Sequence, residues 1–318
     1  SDVCVAPDGS LIVADWYDPG VGGHRQGDID RGRLFRVSLP GQKYSVPKHD
    51  FSTVEGAAAA LKSPNNATRY LAFTKLKESG AAAEAVLAKM FESDPNPRFR
   101  ARALWLLGQI EGKTQKYVDL AIADKDKDIR ITGIRLARRM GADVIPVIEK
   151  LTADESPQVR RECAIALRHV ASETKIPLWT SLALSYGEND RWYLESLGIA
   201  MDSSSASGWN AALTSLLKTR KDANPANFDL IWRSRGTDTT KLKLAELIHL
   251  IKRSQMTLTP EARHDTEISK HAARLFRSLD FDDKASAAEI CGSVLRELSG
   301  KNLPPKLETM FVVECLER

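Results

Sequence analysis

The sequence predicts a mostly α-helical solenoid of stacked antiparallel helix pairs, led by a small N-terminal antiparallel β-sheet. Three observations carry that prediction. Arginines recur at a near-constant spacing, amphipathic segments of helical period fill the intervals between them, and the first forty-odd residues alternate like strands around an Asp-Gly turn.

The N-terminal stretch reads as strand, tight turn and strand: Val3-Cys4-Val5-Ala6, then Pro7-Asp8-Gly9, then Ser10 to Asp15. Arg33 to Ser38 is a third strand, and Tyr44-Ser45-Val46 a candidate fourth. Strands of this number and length amount to one propeller blade, so residues 1–47 are read as a partial β-propeller blade. An isolated blade has open edges and little to cover its faces. The sheet therefore either caps the first helices or belongs with further blades upstream of Ser1. The second is preferred, because the first residues already read as strand and Ser1 is not a start methionine.

Residues 48–62 are read as a linker. From 63 to 201 five units align, each leading from a turn to an arginine: Ser63 to Arg69, Asp94 to Arg100, Asp124 to Arg130, Asp154 to Arg160 and Ser185 to Arg191. The arginines are 31, 30, 30 and 31 residues apart. Six positions before each stands Asp or Ser, suited to turns and helix caps. Pro97 and Pro157, three positions before, suit a first helical turn, where a missing N–H is harmless. Leu76, Leu107, Ala137, Leu167 and Gly198 follow seven positions after. Second helices are expected over Ala82–Phe91, Gln115–Ala123, Val144–Thr152 and Ile176–Tyr186. Such pairs cannot bury their apolar faces alone, so they stack. The unit resembles the short HEAT-like repeats.

The arginine ladder has two readings. The guanidiniums could line a groove and grip phosphate or carboxylate, or each could pair with the turn aspartate of its own or the adjacent repeat. The joint recurrence of Arg and Asp favours the structural role. Trp105, Trp179 and Trp192 are likewise read as interlayer packing rather than a base-stacking platform. From 202 to 318 the repeat degenerates but helical signal persists over Trp209–Leu217, Thr240–Arg253, Glu261–Ser278, Ala285–Leu298 and Pro304–Leu316.

Composition limits the chemistry. The 318 residues carry 46 Lys plus Arg against 42 Asp plus Glu, a formal charge of +4 that is too thin to imply a polyanion partner. No stretch approaches the roughly 20 consecutive apolar residues of a membrane span. The four cysteines, Cys4, Cys163, Cys291 and Cys315, form no CxxC or CxxCH, which excludes metal knuckles and covalent haem attachment within these residues. Glu261, His264, Asp265 and His271 fall near one helix, but the two histidines are two turns apart, a poor spacing for a shared metal. A solvated face is the simpler account. The loop from Asp15 to Arg33 offers Asp15, Asp18, Asp28 and Asp30 as candidate metal ligands, with alternating carboxylates and a glycine that can wrap Ca²⁺. The same aspartates could instead cap turns, neutralised by Arg31 or Arg33.

A resemblance enters through this segment. Ala6 to Pro19 (APDGSLIVADWYDP), then Gly23-His24 and Arg31-Gly32-Arg33-Leu34-Phe35-Arg36-Val37, resembles the last blade of the large dehydrogenase-like proteins of planctomycete and verrucomicrobial type. In that family a propeller similar to quinoprotein glucose dehydrogenases precedes HEAT repeats and a c-type cytochrome domain. The resemblance covers the blade and the HEAT-repeat region. It implies a segment linking a propeller dehydrogenase to a cytochrome domain in an exported, periplasmic redox protein, whose cofactors would be quinone, haem c or Ca²⁺. It also makes His24 a candidate cofactor-binding residue or general base at the propeller mouth. With one blade and no CxxCH, this segment itself is expected to hold no cofactor and no catalytic residue. Its expected partners are a protein or the neighbouring domains of a longer chain. A HEAT-like nucleic-acid-binding module is the alternative, and nucleic acid is the less favoured partner on charge.

Overall fold

The computed structural model describes residues 2–15, 31–187, 189–204, 206–220, 225–235, 239–256, 263–301, 303 and 305–318, with the side chains at 206–207, 225, 253–256 and 263–267 outside that description. It is a HEAT-like, mostly helical chain that divides into two compact units, Ser1–Ala142 and Asp143–Arg318.

The first unit opens with the sheet. Strands β1 (Asp2–Val5), β2 (Leu11–Asp15) and β3 (Arg33–Val37) pair antiparallel in the order β1-β2-β3, with Val3 opposite Val13 and Val13 opposite Phe35. The turn between β1 and β2 needs Gly9, whose φ of 86° is costly for a side chain. Asp8 completes it by accepting from the Ser10 N–H at 3.0 Å and the Ser10 hydroxyl at 2.6 Å. Residues 44–46 form no strand, so among the described residues the sheet has three. The sheet meets the start of the helices where Asn65 Nδ2 donates to the carbonyl of Val5 at 2.6 Å.

Two layers of helices follow. One contains α1 (Val54–Ala60), α3 (Glu84–Ser93) and α5 (Thr114–Ile122); the other contains α2 (Asn66–Ser79), α4 (Pro97–Leu107) and α6 (Lys127–Met140). Sequence neighbours pack across the layers as α1 with α2, α3 with α4 and α5 with α6, while α2, α4 and α6 lie side by side. Leu76, Leu87, Leu104, Leu107, Val118 and Ile134 are buried between them. Each such side chain contributes about 1.5–3 kcal/mol when removed from water, which holds together helices too short to persist alone. Helix α1 lies inside the stretch the sequence suggests is a linker. Its four consecutive alanines show no helical period, but Thr53 caps it by accepting from the Gly56 N–H at 3.1 Å.

The second unit holds α7 (Ile145–Leu151), α8 (Pro157–Ala166), α9 (Ser172–Leu184), α10 (Arg191–Asp202) and α11 (Ala206–Thr219), with α8 packed mainly on α10 and α9 mainly on α11. It ends with α12 (Pro225–Arg233), α13 (Thr240–Met256), α14 (Arg263–Leu279), α15 (Lys284–Leu298) and α16 (Pro305–Leu316). Helix α12 has no counterpart in the sequence reading. A core of Leu247, Ile251, Leu275, Phe276, Val294 and Phe311 joins the last helices. Within it Lys243 and Asp282 form an ion pair at 3.0 Å with both side chains fully buried.

Candidate functional site

The repeat begins with a capped turn, and the cap fixes which face each helix shows. Four positions before their arginines, Asn65, Asn96 and Asp126 act as N-caps, accepting from backbone N–H groups at 2.8, 3.0 and 2.8 Å. The turn aspartates two residues earlier are used locally as well. Asp94, Asp124 and Asp154 accept from the backbone N–H of Asn96, Asp126 and Ser156 at 2.8–2.9 Å.

The ladder arginines also use the backbone carbonyls of their own turns, which the sequence does not display. Arg69 Nη1 donates to the carbonyls of Ser63 and Pro64 at 2.9 and 2.6 Å. Arg130 Nη1 does the same to Asp124 and Lys125 at 2.9 and 3.1 Å. Arg160 Nη1 donates to Asp154 and Glu155, and its Nε reaches the Tyr193 hydroxyl at 3.2 Å. In three of the five units the guanidinium closes its own turn through backbone oxygens. Arg100 differs: its Nε donates to the Phe91 carbonyl at 2.7 Å and its other nitrogens pair with the Asp124 carboxylate of the next repeat.

Arg191 leaves the series. Helix α10 starts late, with Asp190 as its N-cap accepting from the Tyr193 N–H at 3.0 Å. The N–H that returns to the cap carbonyl belongs to Leu194, whereas in the other four units it belongs to the arginine. Arg191 is consequently the first residue of its helix, with 81% of its side chain exposed, and its nearest acid is Glu195 at 3.9 Å. The tryptophans also separate. Trp179 is buried edge-on to Trp209 and donates to the Leu197 carbonyl at 3.0 Å, whereas Trp192 is 73% exposed beside Arg191.

In the first unit Arg69 and residues on the open faces of α2, α4 and α6 line a groove of about 690 Å³. Its apolar wall is Leu61, Tyr70, Phe73 and Trp105; Arg69, Arg102 and Arg135 are its charges, and none of the described residues lining it is acidic. Tyr70 is 70% exposed. Arg102 bridges the layers by donating to the Leu61 carbonyl at 2.8 Å and lies over the Phe99 ring at 5.2 Å. Burial holds the Arg102 guanidinium below its usual range, and repulsion from Arg69 and Arg98 adds to this. Sequence reasoning missed Tyr70, Phe73, Arg102 and Arg135. They stand one and four positions past Arg69, two past Arg100 and five past Arg130, so the available signal was only the polar and aromatic character of the face the apolar stripe leaves open.

Asp15 ends β2 opposite Arg33. His24, Asp18, Asp28 and Asp30 lie outside the described residues, as does Glu261. His264 and Asp265 fall in α14, with their side chains outside the description, and His271 stacks on Phe228 at 4.4 Å. Among the described residues no cluster of three His, Cys, Asp or Glu side chains could hold a metal ion, and no helix is long and apolar enough to cross a membrane.

Capped turns, two helix layers and a lined groove define a helical-repeat protein of HEAT-like architecture, a fold compatible with a non-catalytic scaffold. No family model matches the chain, and no curated protein matches it. Among solved structures it is similar to YibA of E. coli at 18% identity and a TM-score of 0.39, covering 86% of this chain and 100% of that one. It is also similar to two engineered proteins, each 17% identical. One has a TM-score of 0.37 with 83% of this chain and 77% of that chain covered; the other has 0.26 with 71% and 96%.

Proposed function

We propose that this chain is a non-catalytic interaction scaffold, the segment that joins a propeller dehydrogenase-like domain to a c-type cytochrome domain within a larger exported redox protein. The observation that carries the reading is the N-terminal sheet. Leu34 and Phe35 are neighbours on β3 and so face opposite sides, yet they are 77% and 47% exposed, with Val37 also exposed. A three-stranded sheet bare on both faces supports a role as part of a larger β-structure. The Asp15-Trp16-Tyr17-Asp18-Pro19 to Arg31-Gly32-Arg33 run supports the propeller as that structure. Quinone, haem c or Ca²⁺ would then belong to the longer protein and its periplasmic chemistry, and the helices would set the spacing between its domains.

The test is made with the purified chain and the coding sequence around it. The chain alone is expected to show no quinone- or haem-dependent dehydrogenase turnover and to bind, in calorimetry, a propeller or cytochrome domain encoded alongside it. Turnover by the isolated chain, or flanking sequence that encodes neither domain, would overturn the assignment. The groove's arginines beside Tyr70 and Trp105 favour a second reading, a nucleic-acid-binding module. That reading requires duplex binding that weakens steeply with salt.

A further inference from the structure

Helices α15 and α16 pack against one another and join through residues 299–304, so they form an antiparallel hairpin. Cys291 lies on the buried stripe of α15 with Ala287, Ile290, Val294 and Leu298, and Cys315 on that of α16 with Leu307 and Phe311. Cys291 is seven residues before Leu298 and Cys315 eight after Leu307, about two turns from the connection in each case. Antiparallel packing therefore sets the two cysteines level, and the Cys315 thiol donates a hydrogen bond to the Cys291 sulfur. Helix axes about 8–10 Å apart, with Cα atoms about 2.3 Å from each axis, bring facing positions within reach of the roughly 4.4–6.8 Å that a disulfide spans. Accepting the hydrogen bond pulls the Cys291 thiol down to about 7; burial opposes the fall and the nearby Arg318 guanidinium assists it. Arg318 is itself held by Asp280 at 2.9 Å and Glu314 at 2.7 Å. The other two cysteines lack this setting. Cys163 is wholly buried, which pushes its thiol up, and Cys4 is exposed on β1.

We propose that Cys291 and Cys315 are a redox pair that closes to a disulfide across α15 and α16, oxidised by a disulfide donor of the glutathione or dithiol-oxidase class. The Cys291 thiol releases its proton to solvent, and its thiolate attacks one sulfur of the donor. The donor S–S bond breaks and one donor thiolate leaves. Cys315 then gives its proton to that thiolate, attacks Cys291 Sγ and expels the second donor thiolate, which takes a proton from solvent. The pair loses two electrons, and the donor disulfide is reduced to two thiols. Cys291 and Cys315 are 3% and 5% exposed, so the donor enters when α16 opens locally from α15. Closure links positions 24 residues apart and ties the hairpin shut in an oxidising compartment; a reducing one leaves it free to open. The pair lies within the second unit and does not rest on the scaffold reading.

The test uses the full chain, reduced with dithiothreitol and then incubated with oxidised glutathione in native buffer and, separately, in urea. Free thiols are alkylated under denaturing conditions, and tryptic peptides are mapped by mass spectrometry. In native buffer the expected product is a peptide pair joined through Cys291 and Cys315, with Cys163 still alkylated. The Tm of the oxidised chain should lie about 5–10 °C above that of the reduced chain, and dithiothreitol should reverse the rise. Cys315→Ala should stop the reaction at a mixed disulfide on Cys291 and abolish the rise. Cys4→Ser should leave both the link and the rise in place. Cys291 and Cys315 both alkylated after native oxidation would overturn the proposal. So would either of them joined to a different thiol in the unmutated chain, or a Cys291–Cys315 link that forms only in urea. Each of these readings is made on the unmutated chain, so none depends on a variant that folds.

Discussion

Replacing Asp282 by Asn should be among the most damaging single changes in the second unit. Lys243 Nζ lies 3.0 and 3.2 Å from the two Asp282 oxygens and 3.3 Å from the Ser278 carbonyl, with both side chains fully buried. Thr240 holds the carboxylate from the other side, its hydroxyl donating to Oδ2 at 3.1 Å. Burial already pulls the Lys243 ammonium below its usual range, with Asp282 opposing the fall. Asn keeps the shape but replaces one acceptor oxygen with an N–H₂ and removes the countercharge. Stranding one partner of a buried pair costs about 3–5 kcal/mol. At about 2–4 °C per kcal/mol for a unit of this size, the Tm should drop by about 6–20 °C. A sign follows too. Lys243 would titrate further below its unfolded value, so its cost is fully present at low pH and is relieved as pH rises from the folded pKa towards 10.5. Asp282→Asn should therefore regain stability in alkaline buffer. Lys243→Met with Asp282→Leu, which removes both charges, should recover most of the loss. Calorimetry at several pH values reads all three. A loss below about 1 kcal/mol for Asp282→Asn, or a double variant as unstable as the single, would refute the reasoning.

The ladder predicts a contrast: Arg130→Leu removes charged hydrogen bonds from a residue 7% exposed and should cost about 1.5–3 kcal/mol, whereas Arg191→Leu should stay within about 0.5 kcal/mol in the same urea titration. Gly198→Ala should destabilise despite alanine's helix propensity, because a Cβ there would overlap the Arg233 guanidinium that Glu195 and Asp202 hold at 2.8 Å. The expected cost is about 1–3 kcal/mol by thermal melt. The Glu84 carboxyl accepts from Tyr117 at 2.8 Å and pairs with Lys113 and Lys116 at 3.0 Å, which lowers it to about 2. Its stabilising effect is present in full above the unfolded value of 4.5 and is lost as pH falls through about 2. Tyr117→Phe should move the carboxyl titration upward in a ¹³C NMR pH series.

What could be read from the sequence follows from what leaves a period in it. The first helix of each repeat was legible because an arginine, a cap residue and an apolar position recur together. Helices α1 and α12 were not, since Ala57 to Ala60 carry no polarity contrast and Pro225–Arg233 spans little more than two turns. The arginines could be seen, but not their partners: a sequence displays Asp94, Asp124 and Asp154 as anions and hides the carbonyls beside them. Those carboxylates accept from backbone N–H groups as well as pairing with cations such as Lys62 and Arg100, and the guanidiniums of Arg69, Arg130 and Arg160 also reach turn carbonyls. Arg191 looked equivalent because alignment counts residues, whereas the cap at Asp190 sets where the helix starts. The groove left no periodic trace, because Tyr70, Arg102 and Arg135 sit at different offsets from the arginines of their repeats.

The arginine that closes its own turn has an evolutionary consequence. A repeat whose defining side chain bonds the turn carbonyls just before it carries part of its own instructions. It can be copied in tandem without rewriting the residues on either side. Duplication then lengthens the array at little mutational expense, and the outward positions are left to drift. In such an array the invariant letters record how the unit closes, and the letters that differ between copies are where a binding preference is written.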